Sequence, residues 1–274
     1  MLLLLGVAPA HASGICVNSS ALLTSELSTN PPQGTARTIN LVQGTYSLGN
    51  LDATLSAPMT ILGGFTANCA GRSVNAANTT IDMNGNSLSL YQPSGSPVAL
   101  IDIDGLTVKN VLSLTLVAGQ YNTIGSNDPG TVRVSRSRLS GMPGSGTSFD
   151  LGALGDSDIT LEDVVLDHLP GLDPSRCAVY FSELNGAGTI HLQGVTANLA
   201  GITDLCFNAP DSVVQIYNSV IWSSDGSPAS IASMQDGQTI NIVNTLYRTT
   251  TGNPVGQIIN PLHTDPQWTN GAAG

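Results

Sequence analysis

Positive charge is scarce in this sequence. A single lysine, Lys109, and seven arginines stand against 19 acidic residues, for a formal net charge of -11 over 274 residues. The basic footprint that a phosphate backbone requires is missing, which sets nucleic acid aside as a partner. An acidic surface also repels polyanionic sugars unless a cation bridges the two. Aromatic residues make up 4% of the chain and charged residues 10%. Long amphipathic helices lean on Lys, Glu, Arg and Leu, so this composition disfavours them. No C-x-x-C pair occurs, which weakens zinc and redox readings. G-x-S-x-G is missing too, and the glycine-rich GMPGSGTS (141–148) lacks the strand and helix setting of a phosphate loop.

What is present points to short strands and many turns. Hydrophobic residues reach 41%, enough for a core, and Gly, Ser, Thr and Asn dominate the polar part. The opening MLLLLGVAPAHA reads as the remnant of a secretory signal peptide. An apolar run too short to span a membrane leads into Ala10-His11-Ala12, which fits a cleavage site. The positive n-region is missing, so the start reads as clipped. Residues 1–12 are set aside, and 13–274 is taken as one domain. Export predicts a secreted or cell-surface protein with no membrane span. It also makes Cys16, Cys69, Cys177 and Cys206 disulfide cysteines. We pair Cys16 with Cys69 and Cys177 with Cys206, and two other connectivities stay open.

The chain repeats itself. VRVSRSRL (132–139), ITLEDVVL (159–166), IHLQGVTA (190–197), VQIYNSVI (214–221) and INIVNTLY (240–247) share one plan. Two apolar residues two apart are followed by a polar or small corner, then by a second apolar run. Anchors fall at Leu41, Ile61, Met83, Val108, Val134, Leu161, Leu192, Ile216 and Ile242, which gives about nine copies. A period of two puts the anchors inside and Arg133, Ser135, Glu162, His191, Gln215 and Asn241 outside. The intervals are too long for hairpins and carry no helical crossover. The fold expected is all-β: a right-handed parallel β-helix solenoid of about nine coils.

Two residues past the anchors stand Asn110, Arg136, Asp163, Gly194, Asn218 and Asn244. Asn and Gly tolerate the left-handed bend of a tight corner. Stacking would place Asn218 on Asn244 in a side-chain ladder, although Asn also favours turns for its own sake. Residues 19–29, SSALLTSELST, predict a short N-terminal capping helix with Ser19 or Ser20 as its cap. A Cys16–Cys69 bridge would staple that cap to the coil.

The segments CVNSSALLTSELS, TINLVQGTYSL, ILGGFTANCAGRSVNAANTTIDMNG and DGLTVKN resemble secreted bacterial right-handed parallel β-helix repeat proteins, the pectate-lyase-like superfamily. NPLHTDPQWTNGAAG resembles the end of such a coil, usually followed by a further strand, so the C-terminal end is read as truncated. The resemblance implies fold more than function, because polysaccharide lyases, hydrolases and adhesins share it. Its lyases use an Arg or Lys base and carboxylates holding calcium. Its hydrolases use aspartates near N-T-D and D-D motifs, neither of which occurs here.

Candidate residues are few. GDSDITLEDVVLDH gathers Asp156, Asp158, Glu162, Asp163, Asp167 and His168, the one stretch able to offer a carboxylate or calcium site. Arg133, Arg136 and Arg138 form the one basic cluster, able to grip an acidic sugar. Arg136 aligns with Asp163 in the stack, so a salt bridge between coils is the plainer reading. The catalytic candidates are therefore Asp156, Asp158, Asp163 and Arg136. Trp222 follows an apolar run and is placed outward, where an exposed indole can stack on a sugar; packing beneath a loop is the alternative. His168, His191 and His263 are scattered and imply neither a triad nor a metal site. Asn18 and Asn78 match the glycosylation sequon, which in a bacterial protein is chance.

Two functions fit. One is a non-enzymatic, monomeric module for adhesion or for binding and displaying extracellular polysaccharide or cell-surface glycan, without a cofactor. The other is a polysaccharide lyase or glycoside hydrolase, with calcium as its possible cofactor.

Overall fold

The segment VQIYNSVIWS builds two of the three sides of one turn. Val213–Tyr217 is a strand of the first sheet and Val220–Ser223 a strand of the second. Ala229–Ser233 supplies the third side. The computed structural model describes residues 14–29, 35–92, 99–119, 129–142, 148–154, 157–170, 177–184, 188–200, 203–223 and 229–262. Each strand pairs in parallel with its counterpart one turn away, so the chain forms an all-β parallel solenoid of about seven turns. Its walls are three sheets, here called A, B and C, of 10, 7 and 8 strands.

The interior is a set of stacked apolar columns. In sheet A, Ile39, Ile61, Ile103, Val134, Leu161, Leu192, Ile216 and Ile242 sit in register over one another, and all are buried. Full burial of each such side chain contributes about 1.5–3 kcal/mol. Phe181 and Phe207 stack in sheet C with ring centroids 4.9 Å apart.

Three of the expected anchors miss this column: Leu41 lies in sheet A but pairs with Val17, Ile39 being the partner of Ile61, and the other two fall at sheet B, with Ile103 standing in their place. Val108 lies in sheet B, over Ile81 and under Leu139. Met83 follows the sheet B strand Thr79–Asp82. The true partner of both Ile61 and Val134 is Ile103. That turn is long because residues 66–78 make an excursion before sheet B resumes. Asn110 likewise marks a different corner from Asn218, at the end of the sheet B strand Thr107–Val111.

The corner between sheets A and B takes two residues. Its first residue has a left-handed backbone whatever its type: Arg136 (φ 46°), Asp163 (54°), Gly194 (65°), Asn218 (49°) and Asn244 (49°). Asn244 donates from Nδ2 to Asn218 Oδ1 at 3.3 Å, and Asn260 to Asn244 at 3.0 Å, so three asparagines are joined by two rungs. At three of these corners the second residue tucks a hydroxyl onto the backbone: Ser137, Ser219 and Thr245 each donate to the carbonyl two residues back, Ser219 Oγ to Tyr217 at 2.8 Å, whereas Val164 and Val195 are buried at the other two.

The N-terminal end is closed by helix α1, Ser20–Ser28, with Ser19 Oγ accepting from the Leu22 N–H. Leu23 and Leu27 are buried against the first turn, and Arg37 donates to the Glu26 and Thr29 carbonyls left open at the helix end. The disulfides Cys16–Cys69 and Cys177–Cys206 both form. Residues 1–12 lie outside the described residues. Among the described residues, no helix is long and apolar enough to cross a membrane.

Candidate functional site

Sheet A has a continuous outer face. Alternation along each strand sends one residue per turn to the same outward column: Thr38, Thr60, Asp102, Arg133, Thr160, His191, Gln215 and Asn241. All are partly or fully exposed. Adjacent members touch where their chemistry allows, as His191 Nδ1 and Gln215 Oε1 do at 3.2 Å.

At the N-terminal end of this face the chain builds a wall. The sheet A strand Met59–Phe65 ends in Gly63-Gly64-Phe65, and the following residues fold back over it. Phe65 and Arg72 form an antiparallel bridge. Ser73 N donates to Gly64 O at 2.9 Å, and Thr66 N to Gly71 O at 2.9 Å. Gly64 permits this return: its φ is +92°, and a Cβ there would lie 2.1 Å from the Ser73 carbonyl oxygen. The Cys16–Cys69 bridge pins the loop tip to the N-terminal strand Ile15–Val17.

Between loop and sheet lies a cleft of about 620 Å³. Thr38, Asn40, Thr60 and Leu62 floor it, and Phe65, Asn68, Cys69 and Arg72 wall it. Its size suits a small ligand. Gly14 presses on the Asn40 amide, leaving no room for a Cβ, and Asn40 Oδ1 is buried without a partner.

Beside the cleft, two arginines close on one carboxylate. Asp104 accepts from Arg136 Nε at 2.8 Å, Arg72 Nη2 at 2.7 Å and Ser135 Oγ at 2.9 Å. Arg136 Nη2 completes a bidentate pair. Burial works to raise the Asp104 carboxyl, but the hydrogen bonds from Arg136, Arg72 and Ser135 and the Arg72 charge outweigh it and hold it below its ordinary value. Arg72 also donates to Gly63 O and lies over the Phe65 ring, 5.5 Å from its centroid. Asp102, one step along the outward column from Thr60, behaves oppositely. Burial pushes its carboxyl up despite the attraction of Arg133, and its Oδ1 is buried without a partner. Sheet C holds a similar group in Asp150, between Thr115 and Tyr180; burial alone raises it, and its Oδ1 also lacks a partner.

The residues singled out from sequence are not brought together. Asp158 starts a sheet A strand and accepts from Thr189 N at 3.1 Å. Asp163 stands at the corner with its Oδ1 over Gly194, 2.6 Å from where a Cβ would be. Arg136 pairs with Asp104, one turn toward the N-terminus, and not with Asp163 as expected. Arg133 lies 3.7 Å from Glu162, and Arg138 pairs with Asp167. Trp222 does point away from the core of sheet B, beside Asn198, but only 9% of it is exposed and Arg248 lies over its ring. The expected open indole is therefore covered. Asp156 and His263 lie outside the described residues. Among the described residues, no three or more His, Cys, Asp or Glu side chains are grouped to hold a metal ion.

Sequence reasoning passed over Arg72, Asp102 and Asp104, and with them the cleft. The available signal was the Gly63-Gly64 pair shortly before Cys69, where glycine and a crosslink together mark a return of the backbone. Comparison of the chain with protein-family models, curated proteins and solved structures finds no match.

Proposed function

We propose that this protein is a secreted or cell-surface β-solenoid module that binds or displays glycans without transforming them. The outward column of sheet A carries this reading: Thr38, Thr60, Thr160, Gln215 and Asn241 offer hydroxyls and amides along one accessible face. Such groups both donate and accept, as sugar hydroxyls do. The two disulfides suit an oxidising, extracellular setting. A non-catalytic role is supported by the engagement of the candidate charges, since Arg136 and Asp104 saturate each other and Asp158 and Asp163 stand apart. The likeness of the N-terminal segments to the pectate-lyase-like superfamily, and a bacterial origin, belong to this proposal as well.

The competing reading is a polysaccharide lyase or glycoside hydrolase. One observation favours it: the raised carboxyl of Asp150 on sheet C, the state a general acid needs. Glycoside hydrolysis ordinarily needs a second carboxyl beside the first. A glycan array run together with a polysaccharide degradation panel, with and without calcium, tests both. Retention on the array with no cleavage supports the module. Cleavage that disappears in Asp150→Asn supports the enzyme.

A further inference from the structure

We infer that the cleft under the 66–72 loop is a binding site for a neutral sugar residue, recognised through its hydroxyls and not through a carboxylate or sulfate. The inference rests on the glycan-binding reading and gives it a place and a ligand class. Three observations carry it.

The first is that the cleft is built and not incidental. A glycine pair, an antiparallel bridge, the Arg72 side chain and a disulfide hold the loop at a set distance from the sheet. A wall fixed before the ligand arrives spares the ordering cost that binding otherwise carries.

The second is the state of the lining. Among the described residues, the side chains of Thr38, Thr60 and Asn68 make no hydrogen bond, and the Asn40 acceptor is unmet. Hydroxyls and primary amides present donors and acceptors together. Leu62 and Phe65 supply apolar surface beside them, the mixture that the two faces of a pyranose ring ask for.

The third is charge. Arg72, Arg133 and Arg136 cluster with Asp102, Asp104 and Glu162, three guanidiniums with three carboxylates. Among the described residues, Arg72 is the one charged side chain lining the cleft, and Asp104 already holds it. An acidic sugar would find no uncompensated cation there, and the -11 net charge would repel it.

The test uses the full chain and a panel of tetrasaccharides. Neutral hexose and pentose fragments are compared with galacturonate and sulfated fragments by titration calorimetry at low and high salt. The expected result is binding of a neutral fragment with affinity unchanged by salt, and at least a tenfold loss in the Thr60→Val/Asn68→Ala double variant with its circular dichroism and melting point retained. Should that pair of changes perturb folding, Asn68→Ala alone, at an exposed loop position, carries the test. Binding confined to charged fragments, affinity that falls with salt, or affinity lost in Gln215→Ala but kept in the cleft variants would each overturn the inference and leave the glycan-binding reading standing. Retention of no fragment at all would overturn both.

Discussion

Arg136 reaches back one turn of the solenoid and closes both arms of its guanidinium on Asp104, while Arg72 approaches the same carboxylate from the returning loop. One buried acid thus ties three segments that are far apart in sequence: the end of the strand Ala99–Asp104, the following A–B corner, and the wall of the cleft. The Asp104 side chain is 5% exposed and those of Arg136 and Arg72 are 51% and 21% exposed.

Removing that acid has a cost that depends on pH. Asp104→Asn leaves two guanidiniums without their partner. Both retain access to water, so the loss at pH 7 is about 2–3 kcal/mol, below the 3–5 kcal/mol typical of fully buried pairs. The folded carboxyl titrates below its unfolded value, so its contribution is complete above the unfolded value of about 3.9 and drains away as pH falls through the folded value. Urea unfolding at pH 7 should separate the variant from the parent protein, and the two should converge in strong acid. Equal separation at both pH values would show that Asp104 acts by packing and not by charge.

Asp150 should show the opposite sign. Burial raises its carboxyl and no protein group compensates its Oδ1, so the charged form is unfavourable in the folded state. That penalty is absent below the unfolded value, sets in as pH rises through the folded value and is complete above it. Asp150→Asn is therefore expected to melt at a higher temperature than the parent at pH 8, with the gain shrinking toward zero in acid. Melting curves across that range decide the matter, and a variant less stable at pH 8 would mean that Asp150 has a partner when ionised.

The asparagine ladder separates backbone strain from side-chain bonding. Asn244 has φ 49°, accepts from Asn260 and donates to Asn218. Asn244→Gly keeps the conformation and removes both rungs; these are exposed, so the cost is about 1 kcal/mol. Asn244→Ala removes the rungs and leaves in the left-handed region a Cβ with no amide to bond the local backbone, for about 1–2 kcal/mol more than the glycine variant. Denaturant titrations of the two variants should differ by that increment, and equal stabilities would mean that the corner relaxes when the asparagine is lost.

These residues also show what could be read from the chain and what could not. The column through Val134, Leu161, Leu192, Ile216 and Ile242 was legible because burial imposes the same residue type at the same place in each turn. Val108 and Met83 were assigned to the wrong wall because an interval along the chain does not say which of three sheets a strand joins, and the excursion at 66–78 stretches one interval. Arg136 has acidic neighbours on both sides in the stack; burial favours Asp104, and the sequence marks Asp163 no differently. Strand alternation placed Trp222 outward correctly, but the cover comes from Arg248 in the next turn, whose reach no pattern encodes. The cleft was invisible for a related reason. It is formed where a loop folds back over its own strand and meets two strands earlier in the chain, Ile15–Val17 and Arg37–Val42, out of threonines and asparagines that look generic one at a time.

The two disulfides should divide stability from binding. Cys16–Cys69 closes a span of 53 residues and pins the wall of the cleft, whereas Cys177–Cys206 spans 29 and lies on sheet C. In the chain-entropy account both crosslinks contribute similar stability, about 4 kcal/mol each, because the dependence on loop length is logarithmic. Cys16→Ser/Cys69→Ser and Cys177→Ser/Cys206→Ser are therefore expected to lower the unfolding free energy by comparable amounts. Their effects on a neutral oligosaccharide should diverge. Freeing the loop tip restores the ordering cost that the crosslink had removed, which weakens binding at least severalfold, while the sheet C variant keeps its affinity as long as it remains folded. Calorimetry on both variants at a temperature well below their melting points makes the comparison. Equal losses of affinity would place the effect in global stability, and an unchanged affinity in the first variant would show that the loop holds its position through Gly64, Arg72 and the Phe65 bridge alone.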